Sequence, residues 1–185
     1  YIADFKGGVD YPKVWHEKCR MCFTEEDLLY TLNQLVAVLE YRKKALKELG
    51  SPNIDAYNET TENKLPRLIF ACDEVAELLD RTGRGKEDKE RLAQIENKLA
   101  TLARLGRAFG IHLILATQRP DATIIPGQIR NNMDFRVCGR ADNVLSQIIL
   151  DNTSAAEQIP KDARGRFITG DGTVFQGYLF DEGQL

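Results

Sequence analysis

Leu65-Pro66-Arg67-Leu68-Ile69-Phe70-Ala71-Cys72-Asp73-Glu74 is the stretch on which the reading of this chain turns. A short apolar run, Leu68 to Cys72, follows a proline and an arginine and stops abruptly at two carboxylates. A run this short, so bounded, predicts a buried strand of a parallel sheet. In open α/β sheets ligands bind beyond the carboxyl ends of the strands, which is where Asp73 and Glu74 fall. An aspartate there can hold Mg²⁺, directly or through water, and the next glutamate can orient or deprotonate an attacking water. The same acids also suit the first turn of a following helix, where they complement the helix dipole.

Working outward in the C-terminal direction, a short helix through Leu79 leads to a flexible loop, Thr82-Gly83-Arg84-Gly85-Lys86. Its glycines and basic residues prompt a check for a phosphate-binding loop, but Gly-x-x-x-x-Gly-Lys-[Ser/Thr] occurs neither here nor elsewhere in the chain. A helix from about Glu87 to Phe109 follows, with Leu92, Ile95, Leu99 and Leu102 on one face and Gly110 closing it. Ile111 to Thr117 predicts a second buried strand, with His112 satisfied at the sheet margin and Gln118 just past the end. If the strands are parallel, Gln118 shares an edge with Asp73. Beyond it the pattern predicts a helix over 124–132, a strand over 135–139 and a helix over 142–150 capped by Asp142. Two runs, 166–169 and 173–180, flank Gly170-Asp171-Gly172 and read as an antiparallel hairpin.

In the other direction, residues 51–64 read as a polar loop. Thr24-Glu25-Glu26-Asp27 offers an N-cap with an acidic first turn, opening a long helix with Leu28, Leu32, Leu35, Val36, Leu39, Leu46 and Leu49 at helical spacing. Gly50-Ser51-Pro52 ends it. Residues 9–23 are irregular. Tyr1 to Phe5 is strand-like and leads through Lys6 to Gly7-Gly8, a plausible strand-to-helix junction. With no initiator methionine and a strand at its start, the chain reads as the middle of a fold.

Composition sets bounds. With 185 residues, 43% hydrophobic and 29% charged, the chain fits one globular domain with a substantial core. A net charge of -3 does not advertise nucleic-acid binding. Yet the segment from Arg104 to Arg140 holds six arginines (104, 107, 119, 130, 136, 140) against Asp121 and Asp134, so it could face phosphates or simply form solvated surface. Four scattered cysteines do not make a disulfide scaffold, and a reducing cytoplasm fits them. Cys72 and Cys138 read as small core residues. His16, Cys19 and Cys22 suggest zinc but supply too few ligands for a structural site. No signal peptide opens the chain, and no apolar run approaches the ~20 residues that span a bilayer.

Strand–helix alternation gives an α/β domain, and particular residues go further. Phe70-Ala71-Cys72-Asp73-Glu74 resembles the Walker B strand of an ATPase. Gly106 to Pro120, with Ile111-His112-Leu113-Ile114-Leu115-Ala116-Thr117-Gln118-Arg119-Pro120 at its heart, closely resembles the sensor-strand signature of the FtsK/SpoIIIE family of DNA-translocating ATPases. Asp4-Phe5-Lys6-Gly7-Gly8 is similar to that family's Asp-Pro-Lys-Gly-Gly, with Phe5 in place of the proline.

The resemblance implies a RecA-like P-loop NTPase core with a mostly parallel sheet, incomplete at its N-terminal side, plus a C-terminal β-hairpin. Residues 1–185 would form one partial ATPase domain. It implies a motor that uses ATP and Mg²⁺ to move double-stranded DNA through a homo-oligomeric, usually hexameric, ring. Membrane attachment, if any, would lie in parts of a longer protein outside this chain. Relatives include coupling ATPases of conjugative elements and type VII secretion ATPases, whose cargo is protein. By the same resemblance Asp73 would hold the Mg²⁺ sphere, Glu74 would polarise water and Gln118 would sense the γ-phosphate. Arg107 would be an arginine finger reaching a neighbouring copy's nucleotide, with Arg104 the fallback. Arg119 and Arg130, in the basic segment, are candidate DNA contacts.

The family's Walker A loop should precede the Asp4 strand, so the resemblance implies that this chain would be the C-terminal portion of a motor domain, inactive alone. The alternative is a non-catalytic recruiting domain that has lost the loop. In a RecA-like sheet, residues 1–5 should lie beside 67–72, and 67–72 beside 111–117, all parallel. The Walker A strand would sit between 111–117 and 135–138. Without it these two strands should close on each other, or an edge should recruit another copy, because buried ladders are costly when unpaired.

Overall fold

The computed structural model describes residues 1–6, 11–118 and 125–179. Its organising feature is a four-stranded sheet in which every neighbouring pair is parallel. The strands are β1 (Ile2–Ala3), β2 (Met21–Cys22), β3 (Leu68–Cys72) and β4 (Ile111–Leu115), in the order β2-β1-β3-β4. Leu68 to Cys72 is the interior strand the apolar run predicted. Ile2 and Ala3 pair with Ala71 and Cys72, while Leu68 to Cys72 match Ile111 to Leu115 residue for residue. Residues 1–5, 67–72 and 111–117 are therefore parallel neighbours in the expected order.

Strand alternation sends Phe70 and Cys72 to one face and Ile69 to the other. Phe70 is fully buried whereas Ile69 is 52% exposed and Ile114 on β4 is 55% exposed. The buried face carries two long helices, α2 (Glu25–Glu48) and α5 (Lys86–Leu105), which pack on each other and on the sheet. Leu28, Leu32, Leu35 and Leu39 of the first meet Leu92, Ile95, Leu99 and Leu102 of the second in one core with Phe70. Complete burial of a leucine or phenylalanine side chain contributes about 1.5–3 kcal/mol, so these two leucine-rich stripes account for the two-layer arrangement. Thr24 caps α2 as expected, its Oγ1 accepting from Asp27 N at 3.1 Å. Arg84 and Arg91 reach Glu25 at 2.6 and 3.4 Å and tie the starts of the two helices together.

Arg42 fastens the amino ends of the strands. It is only 3% exposed, and its guanidinium donates to Pro66 O (2.6 Å), Phe109 O (2.6 Å) and Gly110 O (3.3 Å). Burial lowers its pKa, and backbone carbonyls just before β3 and before β4 take the place of a carboxylate partner. Gly110 has φ 70°, and a Cβ there would collide with Ile54 Cδ1, so both the turn and the packing require glycine.

Several sequence-based boundaries need correction. Residues 51–64 are not all loop: α3 (Ile54–Thr60) lies within them, capped by Asn53 Oδ1 accepting from Ala56 N at 2.9 Å, with Ile54 and Tyr57 buried. Two apolar residues three apart were enough to seat a helix that surrounding asparagines and threonines disguised. Residues 9–23 hold α1 (Lys13–Lys18) as well as β2. Cys22, on β2, is buried and donates its thiol to Thr31 Oγ1 at 3.2 Å, facing the core rather than Cys19. The helix expected from Glu87 to Phe109 begins at Lys86 and tightens into a 3₁₀ turn over Gly106–Phe109. That expected over 124–132 is a single turn, Gly127–Arg130, residue 124 lying outside the described residues. The short helix expected after β3 is α4 (Val75–Leu79).

The C-terminal part differs most from expectation. β5 (Val137–Cys138) does not close on β4. It pairs antiparallel with β6 (Arg166–Thr169), which pairs antiparallel with β7 (Val174–Gln176), so the expected hairpin gains a third strand. Among the described residues β4 has β3 as its only strand partner. This second sheet has its own small core of Cys138, Leu150, Ala155, Ile159 and Ile168, supplied by the helices Asn143–Leu150 and Ser154–Gln158. Asp142 caps the first of them as expected, accepting from Leu145 N at 2.8 Å. Hydrophobic burial against these helices is what draws β5 away from β4.

Candidate active site

At their carboxyl ends the parallel strands deliver a set of polar side chains to one edge. Ala116 N donates to Cys72 O at 2.9 Å and Val75 N donates to Ala116 O at 3.0 Å, which continues the β3–β4 pairing past the last ladder residue. Asp73 and Glu74 thereby come to lie beside Thr117 and Gln118. The Glu74 carboxylate receives the Thr117 hydroxyl on Oε1 and the Gln118 backbone amide on Oε2, the latter at 2.9 Å. Asp73 Oδ2 lies 3.3 Å from Lys6 Nζ, which arrives from the end of β1. Lys6 N in turn donates to Asp4 Oδ1 at 2.9 Å. Asp4 is 2% exposed, and its other oxygen, Oδ2, is buried without a hydrogen-bond partner.

Asp73, Glu74 and Gln118, expected together, are together. Lys6, Thr117 and Asp4 join them; the first and last sit in the quoted Asp4-Phe5-Lys6 stretch, and Thr117 ends the quoted sensor strand, but spacing alone gave none of them a role. Only parallel pairing of β1 with β3 and of β3 with β4 brings them to one place. Cys72, behind the site, is buried, and its thiol is pushed up to about 12 by that burial. It stays neutral beside the two carboxylates.

Arg107 lies elsewhere. It belongs to the 3₁₀ turn that precedes β4, at the amino ends of the strands, on the opposite edge from Asp73. Its guanidinium approaches Asp134 at 3.5 Å with both side chains largely exposed. Arg104 ends α5 on the same side and is exposed. Arg119 falls outside the described residues. Arg130 ends its short helix half-buried. The basic segment is not one continuous face, because Arg136 turns inward to hold Arg130 O, Met133 O, Ile149 O and Asp151. His112, as expected, is satisfied at the margin, its Nε2 lying 3.0 Å from Arg67 Nη1. Among the described residues no group of three or more histidine, cysteine, aspartate or glutamate side chains is arranged to hold a metal, and no helix is long and apolar enough to cross a membrane.

Known proteins resemble this chain in sequence and in fold. The sequence profile of the FtsK/SpoIIIE family matches residues 10–122. The DNA translocase FtsK of Chlamydia pneumoniae is 33% identical over 159 residues, covering 78% of this chain and 19% of that protein. The DNA translocase FtsK of Chlorobaculum tepidum is 37% identical over 130 residues, covering 69% of this chain and 15% of that protein. The chain thus spans under a fifth of the length of either relative. Among solved structures, the pCW3 conjugation coupling protein TcpA, in a monomer form with ATPγS, superposes with a TM-score of 0.93 at 39% identity, over 100% of this chain and 53% of that one. ATPases 2 and 3 of EssC from Geobacillus thermodenitrificans share the fold, with a TM-score of 0.61 at 21% identity over 83% of this chain and 27% of that one. By the profile over most of its length, and by these relatives, the chain belongs to the FtsK/SpoIIIE family.

Proposed function

We propose that this chain supplies the carboxyl-edge half of the ATP-hydrolysis site of a cytoplasmic, DNA-translocating motor. The observation that carries the reading is the meeting of Asp73, Glu74 and Gln118 at one sheet edge, with Glu74 held by both oxygens. A module that merely bound a partner would have no use for that trio. The donor set fits Mg²⁺: Asp73 offers a hard oxygen at an open edge, and a lysine ammonium already stands against it. Mg²⁺ ordinarily needs only one or two carboxylates, its remaining positions being filled by water and phosphate. When bound, ATP·Mg²⁺ supplies the phosphoryl group and neutralises its charge.

The chain's own residues do the rest. Asp73 would hold the cation's sphere, Glu74 would orient an attacking water and accept its proton, and the Gln118 side chain would contact the γ-phosphate. Arg107, on the edge far from Asp73, would serve a neighbouring copy and not its own carboxylates. That arrangement favours a ring with nucleotide between subunits, a hexamer by family resemblance. The phosphate-cradling loop is not in this sequence, so residues outside it would complete the site.

DNA is favoured over protein as cargo because the relatives at 33–37% identity are DNA translocases and TcpA, at 39%, is a conjugation coupling protein. The type VII secretion ATPases lie at 21–23% and speak for the fold alone. The test is ATP hydrolysis by the longer protein with and without linear double-stranded DNA. Stimulation by DNA, abolished by Asp73→Asn, is expected. Arg119→Ala and Arg130→Ala should each lower the salt slope of DNA binding by roughly one unit if the residue contacts a phosphate. Hydrolysis indifferent to DNA but stimulated by a protein substrate would overturn the cargo; absence of Mg²⁺-dependent hydrolysis would overturn the enzyme.

A further inference from the structure

Glu74 has two sets of donors near its place in the chain, and it uses the set that lies across the sheet. It immediately precedes the helix Val75–Leu79, with φ -128° and ψ 76°, and its side chain makes no capping bond to that helix. The unsatisfied amides of a first helical turn are natural partners for an acid in this position. Instead both carboxylate oxygens reach across to the residues that follow β4, one to the Thr117 hydroxyl and one to the Gln118 amide. The backbone bonds from Ala116 to Cys72 and from Val75 to Ala116 fix the distance between the two segments. The remaining freedom of Glu74 is rotation of its own side chain, and those two donors remove it.

We propose that Thr117 is a positioning residue for Glu74: its hydroxyl, acting with the Gln118 amide, turns the carboxylate away from its own helix and fixes its plane at the sheet edge. The effect on rate rests on the proposed hydrolytic role of Glu74; the clasp itself does not. Threonine suits the task because a β-branched side chain is stiff at χ1 and a hydroxyl bonded to a carboxylate makes a short, charge-assisted contact. Valine keeps the shape and removes the donor. With Oε1 released, the carboxylate can rotate about its terminal torsion, which is soft, and fall back on the amides of Val75–Leu79. The clasp has a second consequence. The Gln118 amide is bound to Glu74 while its side chain is exposed. Any ligand that draws Gln118 outward therefore also displaces the carboxylate.

Two readouts test this. In the ¹⁵N-labelled, nucleotide-free chain, Thr117→Val and Glu74→Ala should each move the Gln118 amide resonance upfield, while Thr117→Ser leaves it near its original position. In the longer protein, Thr117→Val should lower kcat by about 10²-fold, the scale of a misplaced catalytic group, with KM for ATP unchanged. Thr117→Ser should restore most of that rate, which a purely space-filling role would not require. A Gln118 resonance or a kcat indifferent to Thr117→Val overturns the proposal, as does a serine variant as slow as the valine one. If Thr117→Val shifts amides throughout the spectrum, the fold has been lost; Glu74→Ala and Thr117→Ser then decide the matter. A wild-type protein with no ATP hydrolysis would sink the proposed function, and the amide resonance would still decide the clasp.

Discussion

Lys6 Nζ stands 3.3 Å from Asp73 Oδ2, so β1 and β3 are joined at their carboxyl ends by charge as well as by register. The two side chains are 40% and 36% exposed, and a pair so open to solvent contributes at most about 1 kcal/mol to stability. Its significance is local: a cation lies against the carboxylate assigned to Mg²⁺, beside the buried Asp4. β1 contributes only two ladder residues, but it places both Asp4 and Lys6 at the working edge.

Arg42 should matter far more to stability than any surface pair. Its guanidinium is buried and satisfies three carbonyls at the amino ends of β3 and β4. Arg42→Met leaves those acceptors without partners and is expected to destabilise the chain by about 3 kcal/mol. Urea unfolding monitored by circular dichroism would show this as a lower midpoint with an unchanged slope. A loss below about 1 kcal/mol would mean that water reaches these carbonyls easily.

Cys72 gives a pH dependence with a definite sign. Burial raises its pKa from the ordinary 9.0 to about 12, above the value in the unfolded chain. Its contribution is therefore complete below pH 9 and is lost as pH rises toward 12, because only the unfolded thiol ionises in that window. Buried Cys22 and Cys138 are shifted in the same direction. Unfolding free energy should fall as pH rises above 9, and Cys72→Ala should make that decline shallower. An identical decline in the variant would remove Cys72 as a cause.

The interior strand was legible because Leu68–Cys72 is a compact apolar block with sharp ends, and the two long helices because leucines recur every three or four residues. The edge strand β2 was harder. β2 is two residues, Met21-Cys22, and no periodicity survives at that length. α3 was hidden because its buried residues, Ile54 and Tyr57, are few and its cap, Asn53, is a residue equally common in loops. The pairing of β5 with β6 depends on burial against helices that follow in sequence, which no local pattern near Val137 records. At the site, Asp73, Glu74 and Gln118 stood out by chemistry and position. Thr117 and Lys6 did not, because their roles arise only from which strands are neighbours.

Arg107 makes a prediction about assembly. It sits on the edge opposite Asp73, so a finger role demands a second subunit. Mixing longer-protein subunits carrying Arg107→Ala with subunits carrying an inactive Walker A loop should recover part of the ATPase activity, since an intact finger can then face an intact phosphate site. The rate such a finger supplies is about 10³–10⁵-fold, so even a few complementary interfaces should be detectable. No recovery at any mixing ratio would remove Arg107 from the mechanism and bring Arg104 forward.

The central claim, that this sheet edge carries out the hydrolytic step, is tested most directly by Glu74→Gln in the longer protein, measured as nucleotide affinity and turnover side by side. The substitution preserves size and one acceptor oxygen but removes the ability to take a proton from water. ATP·Mg²⁺ affinity close to wild type, with turnover lowered by about 10²-fold or more, is the predicted result. Turnover that survives the change would contradict the account, because the proton would then be leaving water by way of a residue other than Glu74.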